Sequence, residues 1–517
     1  MQLFLKLSLL IFLCTFFGLP QKFANSLQGL AAAFYFCFFV YSCKKPLSFA
    51  QEDEHPLLAD HFFVIAFLGV TTWHYLDLVN NYHRAFFLVD TDFISIAEVL
   101  QNTWQGNFFR THYHGNPDTG NFLAHHFSPA LVLLCPFLAL SDFRLGYAYG
   151  LLFYQIVATL LFYRILECFH LSSWEKLCWL FLFLCNIYVY RLFHSLHFES
   201  LFLCFFFLFF LAWIEKKQYL AFFAFLLCLF TKEDISIYLA FLSTVFCFTS
   251  SKKKWSSLLL LTSILHYFVL IPLLRQQIDT SAAVNWLENW QHWGNSYIEI
   301  IASLLHSPQK VLQALANNSD LAWQFVVLSG GTLLFAPRYF PMLLAIFAIH
   351  SLSARQWHNR FYNYYCYSIL PFFCIASLEG YLYLKEKLNQ HKRHSLVLLC
   401  LVTCLYQASR DKLTPLAYKK VTEERWLQIQ SIAARIPAGK AVHAQFDLSG
   451  WIYRKNPVYP LRDIHEIKDY VILDLDTELA PFLSKQQLQR LQQQLEAKGQ
   501  FRLIAKWQKV YLYQKKL

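Results

Sequence analysis

The sequence predicts a mainly α, polytopic helical membrane protein with a small C-terminal α/β soluble domain. Of the 517 residues, 56% are hydrophobic and only 15% are charged, whereas about a quarter of the residues in soluble domains are charged. Apolar runs near the roughly 20 residues that a helix needs to cross a bilayer recur along the chain, for example at 198–213 and 258–274. An ordinary soluble enzyme is therefore excluded.

Basic clusters orient about thirteen predicted spans, because lysine and arginine concentrate in cytoplasmic loops. The first run lacks a small-x-small cleavage site, so we interpret it as a retained helix rather than a signal peptide. The N-terminus is then cytoplasmic and the C-terminus extracytoplasmic. The spans are predicted at residues 3–19, 27–43, 60–79, 145–164, 175–191, 198–215, 218–231, 235–250, 256–275, 320–337, 339–352, 362–384 and 394–408.

A large outer loop is predicted between the third and fourth spans, at residues 80–144. Within it, residues 124–140 contain Pro129 and Pro136, and prolines interrupt the backbone hydrogen bonds of a helix. We interpret this stretch as re-entrant or lying on the surface. An amphipathic helix along the membrane surface is predicted just before it. Its apolar face contains Phe93, Ile96, Ala97, Leu100 and Trp104, and its polar face contains Glu98, Gln101, Asn102 and Gln105.

The hydropathy falls after residue 404, and residues 409–517 are predicted to form the C-terminal α/β domain. Helices are predicted at 421–435 and 484–497. Strands are predicted at 441–446 and 470–475, and a closing hairpin at 501–513.

The net charge of +11 is explained by basic residues at helix ends, so no nucleic-acid partner is predicted. All fourteen cysteines lie in or beside apolar runs without a CxxC pair of zinc spacing, so no disulfide framework is predicted. No cofactor is required by these patterns. A divalent metal ion at His112 and His114, with Asp90 or Glu199 as third ligand, is an alternative to free histidines in a polar loop.

Many ionisable side chains fall on the outer face in this topology. Such groups are costly to bury near a membrane, so their concentration at one face favours a wet functional cavity. The candidate residues are Asp90, Asp92, Glu98, His126, Arg191, His197, Glu199, Lys232, Glu233, Asp234, Arg355 and Arg360.

Several of these residues belong to motifs that resemble a known family. The stretch Asp92-Phe-Ile-Ser-Ile-Ala-Glu98, then Gly106 and His126-Phe-Ser-Pro129, is similar to the first outer loop of the predicted membrane proteins called domain of unknown function 2079, or DUF2079. The resemblance covers about residues 60–517, while residues 1–59 look like additional N-terminal transmembrane helices. Later motifs follow in the same order: His197-Phe-Glu199, Lys232-Glu-Asp234, the helix start at 362–371 and the strand at 469–474.

That family in turn resembles the GT-C class of membrane glycosyltransferases, which implies a GT-C-like transmembrane domain at 60–408 and a polyprenyl-phosphate-linked sugar as donor. In that class an outer-loop Asp before an amphipathic helix frames the active site. Asp92 and Glu98 have the spacing found in the aminoarabinose-transferring lipid A enzymes. The chain has Thr91-Asp92-Phe93 where those enzymes have Asp-Glu, so their substrate is not carried over.

The residue types fit sugar transfer independently. A carboxylate has to accept the proton of the acceptor hydroxyl, and cations have to hold the charge that develops on the departing phosphate. Asp92 or Asp90 is the candidate base, with Glu98 as a third acid. The candidate phosphate ligands are Arg191, Lys232, Arg355 and Arg360. His126, His197 and Glu199 are candidates for orienting the acceptor or supplying a second acid.

Each candidate also has a structural interpretation. Asp92 stands where an Asp caps a helix, and Glu233 and Asp234 stand where acids favour the positive end of a helix dipole. The polar turn from Arg355 to Arg360 precedes tyrosines typical of a membrane-interface belt.

The leading hypothesis is an inverting glycosyltransferase at the outer face of a prokaryotic inner membrane, with membrane lipid and the lipid-linked sugar as partners. A transporter or flippase for a lipid-linked or amphiphilic solute is the alternative, in which the same acids form a proton relay. A membrane assembly protein is a third. The predicted span centres are nearly free of charge, which favours an enzyme that opens to one face.

Overall fold

The computed structural model describes most of the chain after the first 55 residues. Two compact units are present: Met1–Tyr75 with Leu151–Pro272 and Asn285–Thr414, and Leu76–Gly150 with Leu273–Val284 and Pro415–Leu517. We call them the first and second units. The described residues are 56–84, 91–114, 119–141, 143–278, 286–361, 363–388, 396, 399–400, 402–403, 423–445, 448, 452, 456–461, 467–476, 484–497 and 499–516.

The structure is mainly helical, with a small C-terminal sheet. The helices of the first half are α1 Pro56–Arg84, α2 Thr91–Trp104, α3 Phe122–His125, a 3-10 helix Pro129–Leu140, α4 Phe143–Cys168, α5 Ser173–Leu184, α6 Ile187–His194, α7 Ser200–Ile214, α8 Gln218–Leu229 and α9 Ile235–Thr249.

Helices continue through the second half of the membrane region. They are α10 Lys253–Leu265, a π-helix His266–Leu270, α11 Ile271–Gln277, a 3-10 helix Trp286–Trp290, α12 Tyr297–His306, α13 Pro308–Ala316, α14 Ser319–Leu328, 3-10 helices Thr332–Phe335 and Pro337–Tyr339, α15 Phe340–Ser351, α16 Gln356–Asn359, a 3-10 helix Asn363–Ser368 and α17 Leu370–Lys387.

Three helical stretches among the described residues are long and apolar enough to cross a membrane: His61–Asn80, Phe143–Cys168 and Lys253–Gln277. The pair α5 and α6, bent by 54°, adds a fourth if it counts as one span. The other predicted spans in the described region coincide with shorter or interrupted helices, so the count of about thirteen stays a prediction. The spans predicted at 3–19 and 27–43 lie outside the described residues, as does most of 394–408.

Two predicted spans are interrupted for identifiable reasons. The bend between α5 and α6 occurs at Asn186, whose side-chain oxygen accepts hydrogen bonds from the N–H groups of Tyr188 and Val189 and so caps α6. The helix predicted at 320–337 is wrong as a single element, because α14 ends at Leu328. Gly330 and Gly331 follow at φ of 60° and 81°, a conformation outside the α-helical region.

Phenylalanines of α7 fill the core of the first unit. Nearly every α7 side chain is buried, and a helix that is apolar all round requires neighbours on every side. Phe206 contacts Phe372 of α17 with ring centroids 4.9 Å apart, and Phe209 contacts Phe225 of α8 at 5.4 Å. This packing holds the chain segments at the ends of α7 and α8 in fixed positions.

The proline-containing stretch of the outer loop is a 3-10 helix, Pro129–Leu140, with Pro136 in its interior. It packs on α2, where the Cys135 thiol lies 3.7 Å from the carbonyl oxygen of Leu100. Gly146 of α4 lets the two backbones approach closely, since a Cβ there would meet the backbone of Phe137 and Leu138. The segment is thus supported by protein on at least two sides.

The C-terminal sheet has five strands in the order β2-β1-β3-β5-β4. They are β1 Val442–Ala444, β2 Val458–Pro460, β3 Tyr470–Asp474, β4 Phe501–Trp507 and β5 Val510–Lys515. β1 is parallel to β2 and β3, while β5 is antiparallel to β3 and β4. The helices are α18 Glu423–Ala433 and α19 Lys485–Ala497. The predicted helices, strands and hairpin are confirmed, and the short strand β2, which lies between prolines, was not predicted.

We predict that Gly380→Ala destabilises the first unit. A Cβ at Gly380 in α17 would overlap the carbonyl oxygen of Thr332 in the facing 3-10 helix. That oxygen belongs to the backbone, so it cannot move aside as the end of a flexible side chain can. Overpacking of this kind costs about 1–3 kcal/mol, so thermal unfolding in detergent should occur at a lower temperature. Gly69→Ala in α1 is the control, because nothing lies within 4 Å of its Cβ position. Equal stability of the two variants contradicts the close approach.

Candidate functional site

Helix α2 presents the acids that the sequence singled out in the outer loop. It begins at Thr91, so Asp92 occupies its first turn and not the position ahead of the helix that we predicted. The side chain of Asp92 and all of Asp90 lie outside the described residues.

Glu98 lies nearly two turns further along α2 and is fully buried, so its predicted place on a polar, water-facing side is wrong. The reason is tertiary, because the chain returns over this side of α2 at Thr111 and His112. One Glu98 oxygen accepts hydrogen bonds from the Thr111 hydroxyl and the His112 N–H, each at 3.3 Å. The other oxygen makes a short contact with Nδ1 of the His112 ring.

Glu98 and His112 therefore form a carboxylate–histidine dyad. The His112 side chain is 18% exposed, whereas Glu98 is not exposed at all. When Nδ1–H donates to a buried carboxylate, the ring is held in one tautomer and Nε2 carries the lone pair. This arrangement suits a general base. The ring of Tyr459 on β2 meets the His112 ring edge-on at 5.4 Å.

More histidines adjoin the dyad in the second unit. Ser95 lies one helical turn before Glu98, and its hydroxyl is 3.3 Å from Nε2 of His114. The His114 ring stacks on His125 at 3.9 Å, and His125 meets His126 at 4.5 Å. His126 is thus placed beside the other outer-loop histidines. We call Glu98, His112, His114, His125 and His126 the outer-loop cluster.

A cation that was not predicted from the sequence also contacts this cluster. Arg275 of α11 donates a hydrogen bond from Nη2 to the carbonyl oxygen of His125, at 3.2 Å. A guanidinium binds phosphate oxygens through paired N–H donors. Arg275 ends the span predicted at 256–275, and nothing in the local sequence linked it to residue 125.

The described residues contain no group of three or more His, Cys, Asp or Glu side chains placed to hold a metal ion. The stacked ring planes of His114 and His125 point to packing rather than to convergence of lone pairs on one ion. A metal ligand set with Asp90 falls outside the described residues.

A second polar group lies in the first unit, around Lys232. The Lys232 ammonium is 2.8 Å from one Glu199 oxygen, and the two side chains are only 3% and 2% exposed. Nδ1 of His197 is 3.6 Å from the other Glu199 oxygen, and the His197 ring stacks on Tyr364 at 3.8 Å. A buried charge requires such a partner.

Three tyrosine rings surround the same ammonium. Nζ of Lys232 lies 5.3 Å from the ring centroid of Tyr364, 6.0 Å from Tyr365 and 5.1 Å from Tyr367. Ring faces attract cations, most strongly away from water. Tyr364 and Tyr365, which were predicted as part of an interfacial belt, therefore contact a buried lysine.

Asp234 extends this group. Its carboxylate accepts hydrogen bonds from the Tyr238 hydroxyl at 3.3 Å and, more closely, from Tyr367. Asp234 precedes α9 and Glu199 precedes α7, but neither side chain caps its helix. Asp234 nevertheless stands at the start of α9, where the helix-dipole interpretation places it. Glu233 is buried next to them.

The charges in the loop between α8 and α9 influence one another. Burial by itself would lower the pKa of Lys232, but the negative charges of Glu199, Asp234 and Glu233 raise it above its ordinary value. Burial raises the pKa of Asp234. Lys232 is thus a persistent cation, and Asp234 is the acid of the group with the greater tendency to hold a proton.

Hydrogen bonds continue from Tyr238 to His350, which the sequence did not single out. Nε2 of His350 lies 3.2 Å from the Tyr238 hydroxyl and 2.7 Å from that of Ser368. Nδ1 is 3.0 Å from the carbonyl oxygen of His358. We call Glu199, Lys232, Asp234, Tyr238, His350, Tyr367 and Ser368 the lysine network.

The predicted arginines lie in other surroundings. Arg360 forms an ion pair with Asp320, in which Nη1 lies 2.8 Å from both carboxylate oxygens. Arg355 is exposed at the start of α16. Arg191 lies over the Tyr188 ring, 5.6 Å from its centroid.

Among the predicted residues, the structure thus brings His197, Glu199, Lys232, Glu233 and Asp234 into one group in the first unit. It brings Glu98 and His126 into the outer-loop cluster in the second unit. Sequence reasoning missed Arg275, His350, Tyr238 and Tyr367, and it considered His112 only as a metal ligand. Two features of the sequence could have pointed to these residues. His350 stands near the end of an apolar helix, and Tyr367 belongs to a dense run of tyrosines.

We predict that Lys232→Met strongly destabilises the protein, because it leaves Glu199 buried without its cation. Removing one member of a buried pair costs about 3–5 kcal/mol. Glu199→Gln should also be destabilising, and the double variant should regain part of the loss. Folded yield and thermal unfolding in detergent measure the effect.

The matched control is Arg360→Met, which removes the cation of the exposed pair with Asp320. Exposed pairs contribute about 0–1 kcal/mol. A Lys232→Met protein as stable as Arg360→Met contradicts the buried-pair role, as does a double variant less stable than either single variant.

Comparisons with known sequences extend these observations. Residues 95–512 match the profile of a family described as predicted membrane protein DUF2079. Glu98, His112, Lys232 and β3 lie inside the matched region, whereas Asp92 precedes it. No curated protein sequence matches the chain.

Proposed function

The chain belongs to the predicted membrane protein family DUF2079, and on that premise we propose that it is an integral membrane glycosyltransferase with a GT-C-like core. It transfers a sugar from a polyprenyl-phosphate donor to an extracytoplasmic or lipid acceptor. The observation that carries the proposal is the Glu98–His112 dyad, a buried carboxylate against a partly exposed imidazole. In this proposal the protein is located in the prokaryotic inner membrane.

The reaction needs a base at the acceptor hydroxyl. Nε2 of His112 takes the hydroxyl proton while the acceptor oxygen forms a bond to the anomeric carbon of the sugar. The bond from that carbon to the donor phosphate oxygen breaks, and the phosphate leaves with the electron pair. Attack opposite to the leaving group inverts the configuration. The Glu98 carboxylate stabilises the imidazolium that forms, in the same way as the acid of a catalytic triad.

The departing phosphate needs positive charge. Arg275, held at the carbonyl oxygen of His125, supplies a guanidinium next to the outer-loop cluster, and paired N–H donors match phosphate oxygens. Arg360 is a weaker candidate because its Nη1 group is already paired with Asp320. Lys232 is weaker for the same reason, since it is enclosed and paired with Glu199.

The lysine network supports a second candidate, a transporter or flippase for a lipid-linked or amphiphilic solute. Ionisable residues linked by hydrogen bonds inside a membrane protein are typical of proton relays, and Asp234, Tyr238, His350 and Ser368 are linked in that way. Protein in vesicles that moves a fluorescent polyprenyl-phosphate sugar between leaflets, without cleaving it, favours this candidate.

The proposed activity is tested with full-length protein in lipid vesicles. The donors are polyprenyl phosphates carrying radiolabelled hexoses or pentoses, and the acceptor is a total lipid extract with added glycans. We expect labelled product and free polyprenyl phosphate in equal amounts. Intact donors across the panel, with the protein folded, overturn the proposal.

We predict that His112→Ala reduces transfer about 10²–10⁴-fold, the usual contribution of a positioned general base. Glu98→Gln should reduce it at least about tenfold, because the tautomer and the imidazolium lose their partner. His306→Ala is the control, since His306 is exposed on α12. Turnover should be measured beside thermal unfolding, so that lost folding is distinguished from lost chemistry.

Asp92→Asn, compared with His112→Ala, distinguishes Asp92 from His112 as the general base. If Asp92→Asn abolishes transfer and His112→Ala does not, the base is Asp92 and the assignment to the dyad is wrong, although the enzyme class stands. If His112→Ala abolishes transfer and Asp92→Asn does not, the dyad is the base.

A further inference from the structure

Helices α12 and α13 carry an apolar surface that the protein itself does not cover. Neither helix has a fully buried side chain. Large apolar side chains are exposed on both: Ile298 at 81%, Ile301 at 57%, Leu305 at 74% and Leu312 at 65%. Positions 298, 301 and 305 are separated by three and four residues, so they share one side of α12.

Each of the two helices has three different sides. One side is half-buried against protein and contains Ile300, Leu304, Val311, Ala314 and Leu315. A second side is exposed and polar, with Glu299, His306, Gln309, Lys310 and Gln313. The exposed apolar side lies between them. A helix at a membrane surface contacts protein, water and lipid on three different sides. A helix that contacts only protein and water gains no stability from an exposed apolar side.

The start of α12 lies next to a candidate membrane span. The candidate span Lys253–Gln277 exposes Leu261, Ile264, Leu265 and Phe268 on one side. The hydroxyl of Tyr267 in this span lies 2.9 Å from that of Tyr297, the first residue of α12. The start of α12 therefore contacts a helix that is long and apolar enough to cross a membrane.

Aromatic residues at this level point to the membrane boundary. Trp290 and Trp293, just before α12, donate indole hydrogen bonds to the carbonyl oxygens of Ile349 and Leu352, each at 3.0 Å. Tryptophan and tyrosine concentrate where headgroups meet acyl chains. Pro308 starts α13 after a break at Ser307, so the pair can follow a surface instead of continuing straight.

We propose that α12 and α13 lie in the headgroup–acyl boundary of the bilayer, with Ile298, Ile301, Leu305 and Leu312 inserted among phospholipid acyl chains. Residues 297–316 are then a monotopic lipid-binding element, rather than part of a water-filled loop between two spans. The polar side, with Lys310 and Gln313, faces water and headgroups. This proposal does not depend on the glycosyltransferase assignment.

The experiment places a photo-crosslinking amino acid at one position at a time in the full-length protein, reconstituted in phosphatidylethanolamine and phosphatidylglycerol vesicles. Lipid adducts are quantified by mass spectrometry. Position 301 reports the apolar side, position 313 the polar side of the same pair, and position 261 the exposed side of the span. Position 493, exposed on α19, gives the background.

We expect position 301 to form lipid adducts within about twofold of position 261 and at least about fivefold above position 313. Adducts at 301 no more frequent than at 313 overturn the proposal. Adducts to a protein chain in place of lipid also overturn it, because the apolar side would then be a protein interface. If the protein substituted at 301 does not fold, position 312 replaces it with the same expected ratio.

Discussion

A charge buried away from water has to be paired, and this constraint organises both polar regions of the chain. Glu199 and Lys232 are almost completely enclosed, and each is tolerable only because the other is present. Glu98 obeys the same rule with Thr111 and His112. Glu175 at the start of α5 obeys it with Lys385, 2.8 Å away, and the Tyr381 hydroxyl. In every case the partners come from different segments of the chain, so the pairing also fixes which segments are neighbours.

These pairs differ in what they leave accessible. Lys232 is surrounded by Glu199 and three tyrosine rings, so its charge is used within the protein. His112 keeps part of its ring exposed while its other nitrogen is held by Glu98. A group that reacts has to be oriented on one side and open on the other. This asymmetry is the reason for placing chemistry at the outer-loop cluster and structural order at the lysine network.

The mainly helical character of the chain and its C-terminal module were predictable from sequence because their elements follow local rules. The spans at 60–79 and 145–164 are apolar over a full membrane thickness, and the C-terminal module shows alternating strands and a helix whose leucines recur at 488, 491 and 495. Breaks were harder to predict. Asn186 and the glycines at 330 and 331 divide apolar runs whose composition is uniform, and hydropathy averages over such single residues.

The site was predictable in its residue types but not in its pairings. The pattern of α2 placed Glu98 opposite Phe93 and Ile96, which is correct for the isolated helix. What the pattern does not contain is that residues 111 and 112 return across that side and bury it. Tyr367 and His350 likewise acquire their roles through hydrogen bonds to Asp234 and Tyr238, whose partners lie more than a hundred residues away. Only the three-dimensional arrangement reveals these contacts.

The contact between His112 and Tyr459 has a consequence for biogenesis. The histidine emerges early in synthesis, together with α2, but the tyrosine belongs to strand β2 near the end of the chain. Domains fold in the order in which they leave the ribosome, so the surroundings of His112 are incomplete until nearly all membrane helices have been inserted. Nascent or prematurely terminated chains therefore occupy the membrane with the imidazole lacking its aromatic neighbour. Maturation of this part of the protein is consequently linked to the completion of translation.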